Sequence, residues 1–278
     1  MSIFVVAPII IMVVYAFSTA AGDFTLENFA RMGTYTAVFT RSFKLAIIAT
    51  LIALLIGYPV SYMLSKEGPQ VQRIAMVLIM LPMWMNFLLR TYSWMSILEN
   101  NGLLNQLFQQ IGLIDLYNQI AMHFASDPAA YVPIDHFQMI GTQGAVVLGM
   151  VYNYLPFMIL PIYSVLVKLD HSLIEAARDL GASSVQVFRK VILPLSLPGV
   201  LSGITMVFVP SVSTFAISRL LGGGTQMMLG DLIEQQFLGG AYNPQLGAAI
   251  ALVMMAIVVV CMLVMNRFGD GEEQAVML

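Results

Sequence analysis

Glu175-Ala176-Ala177-Arg178-Asp179-Leu180-Gly181, closed by Val191-Ile192-Leu193-Pro194, is a charged interlude between two long apolar runs. At 3.6 residues per turn the segment is good for about five turns of helix. Ser172 stands three residues before Glu175, the spacing of a capping box. In that motif the Ser172 hydroxyl accepts from the Glu175 N–H, and the Glu175 carboxylate reaches back to the N–H of Ser172. Leu173, Ala177, Leu180, Ser184, Val187 and Val191 then fall on one helical stripe. Gly181 interrupts it, and Ser183 or Ser184 can open a second short helix. The small side chains of Ala176 and Ala177 let another surface approach the backbone closely. The plain alternative is a well-capped surface helix in which Glu175 is a cap and nothing more. Between two membrane runs, the same segment is a handle offered to a soluble partner on one face of a bilayer.

The rest of the chain supplies that bilayer context. Of its 278 residues 59% are hydrophobic and only 10% charged, against about 25% charged in soluble domains, so an ordinary soluble domain is excluded. Apolar runs predict six spans, at about 3–19, 43–65, 74–98, 144–167, 194–217 and 246–265, most of them near the 20 or so residues a bilayer core requires. The expected fold is therefore all-α and polytopic, a single membrane domain over 1–278 with a charged loop at 168–193. Ile3–Phe17 is short for a span, and Ser18-Thr19-Ala20 resembles a signal-peptidase site. No basic segment precedes it, as a secretory signal would have, so it is read as the first span.

Charge sets the orientation. Lys66 and Arg73 follow span two, Lys168, Arg178, Arg189 and Lys190 sit in the charged loop, and Arg267 is in the tail. The other side carries Arg31, Arg41 and Lys44, then a loop from Glu99 to Thr142 without Lys or Arg, whose charges are Glu99, Asp115, Asp127 and Asp135. The charged loop and both termini are expected in the cytoplasm. Within the outer loop, Asn101–Phe108 reads as a short interfacial helix, and Ser126-Asp127-Pro128 and Val132-Pro133-Ile134-Asp135 as irregular chain. Pro59, Pro82, Pro156, Pro161, Pro198 and Pro210 lie in or near spans. Proline is common in membrane helices, but such breaks also line water-filled pathways.

Several function classes drop out. No basic patch dense enough for nucleic acid exists. Cys261 is the only cysteine, which excludes an internal disulfide and paired-thiolate metal sites, and the 21 methionines read as pliable apolar filler. His123, His136 and His171 all lie outside the spans, and neither a His-Glu-x-x-His run nor a Gly-x-Ser-x-Gly elbow occurs. Gly222-Gly223-Gly224 lacks the Gly-Lys-Ser/Thr of a phosphate loop and reads as a turn after span five, so no cofactor or catalytic residue is expected. Arg90, late in span three, is the one charge deep in a span, and such a charge is a functional candidate by default. It can equally snorkel to the outer headgroups or pair with Glu99, Asp231 or Glu234.

Glu-Ala-Ala, a glycine four positions after the second alanine and the closing Leu-Pro together resemble the EAA loop of ABC-importer permeases. Val191, where that family usually has Ile, is the one departure. Leu81-Pro82-Met83-Trp84, Leu89-Arg90-Thr91-Tyr92-Ser93-Trp94, Asn101-Gly102-Leu103-Leu104-Asn105, Tyr152-Asn153-Tyr154-Leu155-Pro156-Phe157-Met158 and Gly230-Asp231-Leu232-Ile233-Glu234-Gln235-Gln236-Phe237 look like the spermidine/putrescine permeases of the PotB type. The likeness runs over nearly the whole chain. It departs in lacking a basic lead before span one and in a longer stretch from Ala121 to Phe137.

The resemblance implies a type I ABC importer fold with cytoplasmic coupling helices, in the inner membrane of a prokaryote. It implies two ATP-binding subunits, a second homologous permease and an extracytoplasmic binding protein as partners, beside membrane lipid. ATP hydrolysis then belongs to the separate subunits. Ser172, Glu175, Ala176, Ala177, Asp179, Gly181, Leu193 and Pro194 map onto the ATPase-coupling loop. A polyamine pathway needs carboxylates and aromatic faces for cation–π contact, worth about 0.5–2 kcal/mol each. Trp84, Arg90, Tyr92, Trp94, Glu99, Tyr152, Asn153, Tyr154, Asp231 and Glu234 are the candidates, although interfacial Trp and Tyr form belts in most membrane proteins. Rival readings keep the importer and change the cargo to thiamine, iron, sulfate or phosphonate. A secondary transporter is the alternative of another class, disfavoured because no Asp or Glu lies within the six runs, and a membrane enzyme lacks a nucleophile and base.

Overall fold

Small residues decide which helices meet. The computed structural model describes residues 2–124, 132–240 and 242–276, and its frame is three long helices, α3 (Thr36–Ser65), α8 (Gln143–Leu166) and α11 (Leu193–Ser213), each packed on the other two. In lipid no hydrophobic drive separates one apolar helix from another, so close backbone approach and dispersion contacts carry the association. Gly199 and Gly203, four apart on α11, supply that approach. A Cβ on Gly199 would stand 2.8 Å from the Pro161 carbonyl oxygen, and one on Gly203 2.8 Å from the Met158 sulfur. Gly57 on α3 meets the same Met158 at 2.9 Å by the same measure. Ser61 Oγ adds a cross-helix bond to the Ile159 carbonyl at 3.1 Å. Ala53, Met158, Ile162, Val200 and Val207 fill the space between.

Around this frame run α1 (Ser2–Ala16) and α14 (Pro244–Val276), packed against each other, with α14 also touching α11. Ala16, Ala46, Phe208, Val212, Leu232 and Ile250 form their shared core. Short helices complete the chain: α2 (Glu27–Arg31) with a 3-10 turn at Met32–Tyr35, α4 (Pro69–Trp84), α5 (Phe87–Leu98), α6 (Leu103–Gln110), α7 (Leu113–Phe124), α9 (His171–Asp179), α10 (Ser184–Val187), α12 (Ala216–Leu221) and α13 (Leu229–Leu238). Among the described residues no strand forms beyond an isolated antiparallel bridge between Ser18 and Phe24.

The spans differ from a row of six straight crossings. Among the described residues four helices are long and apolar enough to cross a membrane: Glu27–Ser65, Gln143–Leu166, Ser184–Ser213 and Pro244–Met265. The run expected at 74–98 is broken instead, with Pro69–Trp84 and Phe87–Gln110 meeting at 90°. Met85 is extended, and the Asn86 side chain accepts from the N–H groups of Leu88 and Leu89, starting a new helix in a new direction. The run expected at 194–217 stops at Ser213, because Thr214 turns extended before α12 begins. The first apolar helix is short, Val6–Ala16. In the loop from Glu99 to Thr142 the helix expected at Asn101–Phe108 lies at Leu103–Gln110, a second helix, α7, follows it where no element was expected, and Val132–Asp135 is irregular. Ser126-Asp127-Pro128 lies outside the described residues.

Hydrogen bonds sort the loops to two ends of the frame. At one end the turn after α12 joins the start of α8, where Gly141 N–H donates to Leu221 and Thr225 Oγ1 to Gly141, and Leu229 N–H donates to Ser42 Oγ on early α3. At the other end Tyr58 and Tyr62, late on α3, clasp Phe188 in edge-to-face contacts at 5.9 and 5.4 Å, and Tyr163 donates to Gln72 at the start of α4. The charged loop 168–193 and the α12–α13 hairpin therefore occupy opposite ends.

Candidate functional site: a coupling loop and a carboxylate hairpin

The loop is built from local capping chemistry. Asp170, not Ser172, caps α9: its carboxylate accepts from the Ser172 N–H at 2.9 Å. The expected Ser172–Glu175 box is thus replaced, because an acceptor two residues earlier has already taken the first orphan donor. Glu175 and Ser172 are left exposed. Gly181 ends α9 in a Schellman turn, with φ +82°. Its N–H donates to Arg178 at 2.8 Å and the Ala182 N–H to Ala177 at 3.1 Å. The capping box that does form is one helix on, where Ser183 Oγ takes the Gln186 N–H and Gln186 Oε1 takes the Ser183 N–H.

The Schellman turn also splits the expected stripe. Ala177 and Val187 pack inward with Ile174, Ala182 and Ile192, while Leu180 is 89% exposed and Leu173 and Val185 stand in the open. Helical periodicity does not survive a left-handed residue, so the two halves present different faces. Glu175, Ala176 and Asp179 share the open face of α9. Residues Phe188–Ile192 then form a π-turn, in which the Leu193 N–H reaches back to the Phe188 carbonyl. Pro194, which has no N–H to give, begins α11.

At the opposite end the pathway candidates separate into two groups. Trp84 and Tyr92 are exposed on α4 and α5, and Glu99 is exposed at the end of α5, where its carbonyl accepts from Asn105 and Gly102. Trp94 stacks edge-on against Tyr152 at 5.3 Å. Tyr154 is half-buried. Asn153 is buried, its Nδ2 on the Gly149 carbonyl at 2.9 Å and its Oδ1 without a partner. Arg90 is only 8% exposed. It forms no ion pair with Glu99, Asp231 or Glu234, and its Nε and Nη1 have no hydrogen-bond acceptor.

Asp231 and Glu234 come together on α13 with two residues that sequence reading passed over, Ser218 and Arg219 of α12. Asp231 Oδ2 accepts from Ser218 Oγ at 2.5 Å and from the Met228 N–H at 3.0 Å, capping α13. Arg219 forks onto Glu234, with Nη2 2.5 Å from Oε2 and Nη1 3.1 Å from Oε1. Burial pushes the Asp231 carboxyl above the usual range; the Ser218 and Met228 bonds and the Arg219 charge only partly offset this, and Glu234 adds to it. Arg219, the basic residue just ahead of the glycine turn, is absent from the charges weighed for either face in the sequence. Gly222–Gly224 do turn the chain, with Gly223 and Gly224 at φ +56° and +74°.

Comparison with known proteins agrees with this architecture. The chain is 36% identical to the spermidine/putrescine transport system permease protein PotB of Haemophilus influenzae over 267 residues, 92% of this chain and 86% of that one. It is also 36% identical to its Escherichia coli K12 counterpart over 246 residues, 88% and 82% of the two chains. Among solved structures, a subunit of a bacterial ABC transporter that imports the acidic polysaccharide alginate superposes with a TM-score of 0.75 at 15% identity, covering 97% of this chain and 90% of that one. A chain of the MetNI methionine ABC transporter follows at 0.55 and 19%, covering 89% and 98%. At those identities the structures speak for the fold alone. Residues 53–271 match the family described as binding-protein-dependent transport system inner membrane component, and the chain belongs to that family of membrane transport subunits.

Proposed function

We propose that this chain is the permease subunit of an ATP-driven importer of polyamines, spermidine or putrescine, in a bacterial inner membrane. The observation that supports the cargo is the likeness to the PotB proteins over about nine-tenths of the chain. Two ATP-binding subunits, a second homologous permease and an extracytoplasmic binding protein complete the machine. The loop 168–193 is the coupling element: Leu173, Glu175, Ala176, Asp179 and Leu180 on its open face dock against an ATP-binding subunit. Gly181, Leu193 and Pro194 set its shape. Counting the short first helix and the bent α4–α5 pair, the chain crosses six times with both ends in the cytoplasm. Cargo enters at the end that holds the α12–α13 hairpin, among Trp94, Tyr152, Tyr154, Asp231 and Glu234.

Polyamines are flexible chains of ammonium groups, and carboxylates with aromatic faces are the chemistry that receives them. The test is ATP hydrolysis by the reconstituted complex with its binding protein. Spermidine or putrescine raises the rate on this reading. Stimulation by sulfate, thiamine or iron without response to polyamines removes the cargo and leaves the importer. Arg90, buried with unfilled N–H donors, favours that second reading, an anionic cargo.

A further inference from the structure

One carboxylate too many is buried in the α12–α13 hairpin. Asp231 is 4% exposed, and while its Oδ2 is doubly bonded, its Oδ1 has no partner. It borders a small cleft with Ser218, Arg219, Gly224, Met227 and Gln235. A second buried acceptor of the same hairpin, Gln226 Oε1, also lacks a donor. Buried acceptors are rarely left so. The charges do not balance either. Asp231 and Glu234 give two negative charges, Arg219 returns one, and Arg41 donates to the Thr225 carbonyl at 3.3 Å and forms no ion pair with either carboxylate. What is missing is a compact cation with several N–H donors.

Arg219 is poorly suited to be that cation. Its guanidinium is planar and broad, and it sits at the rim on Glu234 with its side chain about half exposed. Exposed pairs of this kind hold weakly. A primary ammonium carries the same charge on one small atom with three donors, which suits the open Asp231 Oδ1 in the cleft, with Glu234, the partner of Arg219, supplying the second negative charge. We propose that the hairpin is a binding site for an alkylammonium end of the cargo, and that Arg219 is its tethered stand-in, holding Glu234 in the empty chain and giving way when the ammonium arrives. This rests on the polyamine reading above. It assigns Arg219 a role as a competitor for the site: the ion pair keeps the carboxylates from collapsing apart by repulsion, and its release frees Arg219 to turn outward.

The test uses the assembled importer in membranes, with Cys261→Ser removing the native thiol and Met227→Cys placing one in the cleft. Cationic and anionic methanethiosulfonate reagents are compared, each normalised to its rate with a free thiol. One net negative charge some 6 Å away at aqueous dielectric favours the cation by about tenfold. Glu234→Gln should bring the ratio to about one, and Arg219→Gln should raise it to about a hundred, on the same arithmetic. Millimolar putrescine should slow labelling in the parent and more strongly in Arg219→Gln. Gln235→Cys reports the same cleft if the Met227 variant fails to insert. Equal rates for the two reagents, or a charge preference that putrescine does not suppress, overturns the site. Polyamine-stimulated ATP hydrolysis is read on the same preparation. If it persists while the labelling prediction fails, the hairpin site is wrong and the cargo stands; if it is absent in the parent, the cargo reading itself fails.

Discussion

Met158 on α8 lies directly over Gly203 on α11, so that a methyl group on the glycine would meet the methionine sulfur at 2.8 Å and its carbonyl at 3.1 Å. Gly199, one turn earlier, faces backbone instead, the Pro161 carbonyl at 2.8 Å and the Ile162 Cα at 3.1 Å. A sulfur at the end of a flexible side chain can move, and a helix backbone cannot without moving the helix. Gly199→Ala should therefore destabilise the chain more than Gly203→Ala, with overpacking costs of about 1–3 kcal/mol. Thermal unfolding of both variants in detergent reads the order. A larger loss for Gly203→Ala would show that α8 and α11 do not pack as described.

Gly181 stands at φ +82° with open space where a side chain would go. Its requirement is conformational rather than steric. A β-branched residue there costs about 1–2 kcal/mol in the left-handed region, while Asn tolerates it. Gly181→Val should weaken co-purification of the ATP-binding subunit and slow transport, with membrane insertion intact, and Gly181→Asn should restore most of both. Equal behaviour of Val and Asn would mean that the Schellman turn is not what the loop depends on.

Leu180 exposes 89% of its surface at the end of α9, beyond the packed faces of the loop. Leu180→Glu should leave the unfolding temperature of the isolated permease within the scatter of surface changes, about 0.5 kcal/mol. Co-purification with the ATP-binding subunit should fall at least tenfold if the leucine fills an apolar pocket there, since burying it is worth about 1.5–3 kcal/mol. A stable variant that still binds the ATPase normally would move the dock elsewhere.

The Asp231 carboxyl is raised by burial, so the folded chain holds its proton more tightly than the unfolded one. Between the ordinary aspartate value, about 3.9, and the raised folded value, the folded state binds more protons. Stability contributed by this group therefore falls as pH rises through that window and is level above it. Asp231→Asn, which keeps an oxygen for Ser218 and Met228, should flatten that part of the profile. Unfolding midpoints of the two proteins measured from pH 4 upward make the comparison. Parallel profiles would assign the pH dependence to other groups.

The apolar runs were legible because a membrane imposes one demand on the backbone, and long stretches such as Gln143–Leu166 meet it with composition alone. The breaks were less so. Pro82 announced irregularity near span three, yet the 90° turn comes from Asn86 capping a new helix, and Asn inside an apolar run does not say which way the chain will leave. The helix opening the charged loop was legible from its motif, but its cap shifted from Ser172 to Asp170 because the Asp170 carboxylate took the Ser172 N–H that the capping box assigns to Glu175. Arg219 went unread for a different reason: its meaning depends on Glu234, fifteen positions away on another helix, and no local pattern joins them.

From Ser184 to Ser213 the chain is continuous helix, about 45 Å at 1.5 Å per residue. Its first turn belongs to the loop and its last touches the break at Thr214, beside the hairpin. A tilt of only about 5° pivoting at the loop would sweep the far tip through roughly 4 Å over that length. That displacement exceeds the reach of the Arg219–Glu234 ion pair, whose nearest atoms are 2.5 Å apart. One continuous lever is thus long enough to convert an angular change at one membrane face into a making or breaking of polar contacts at the other.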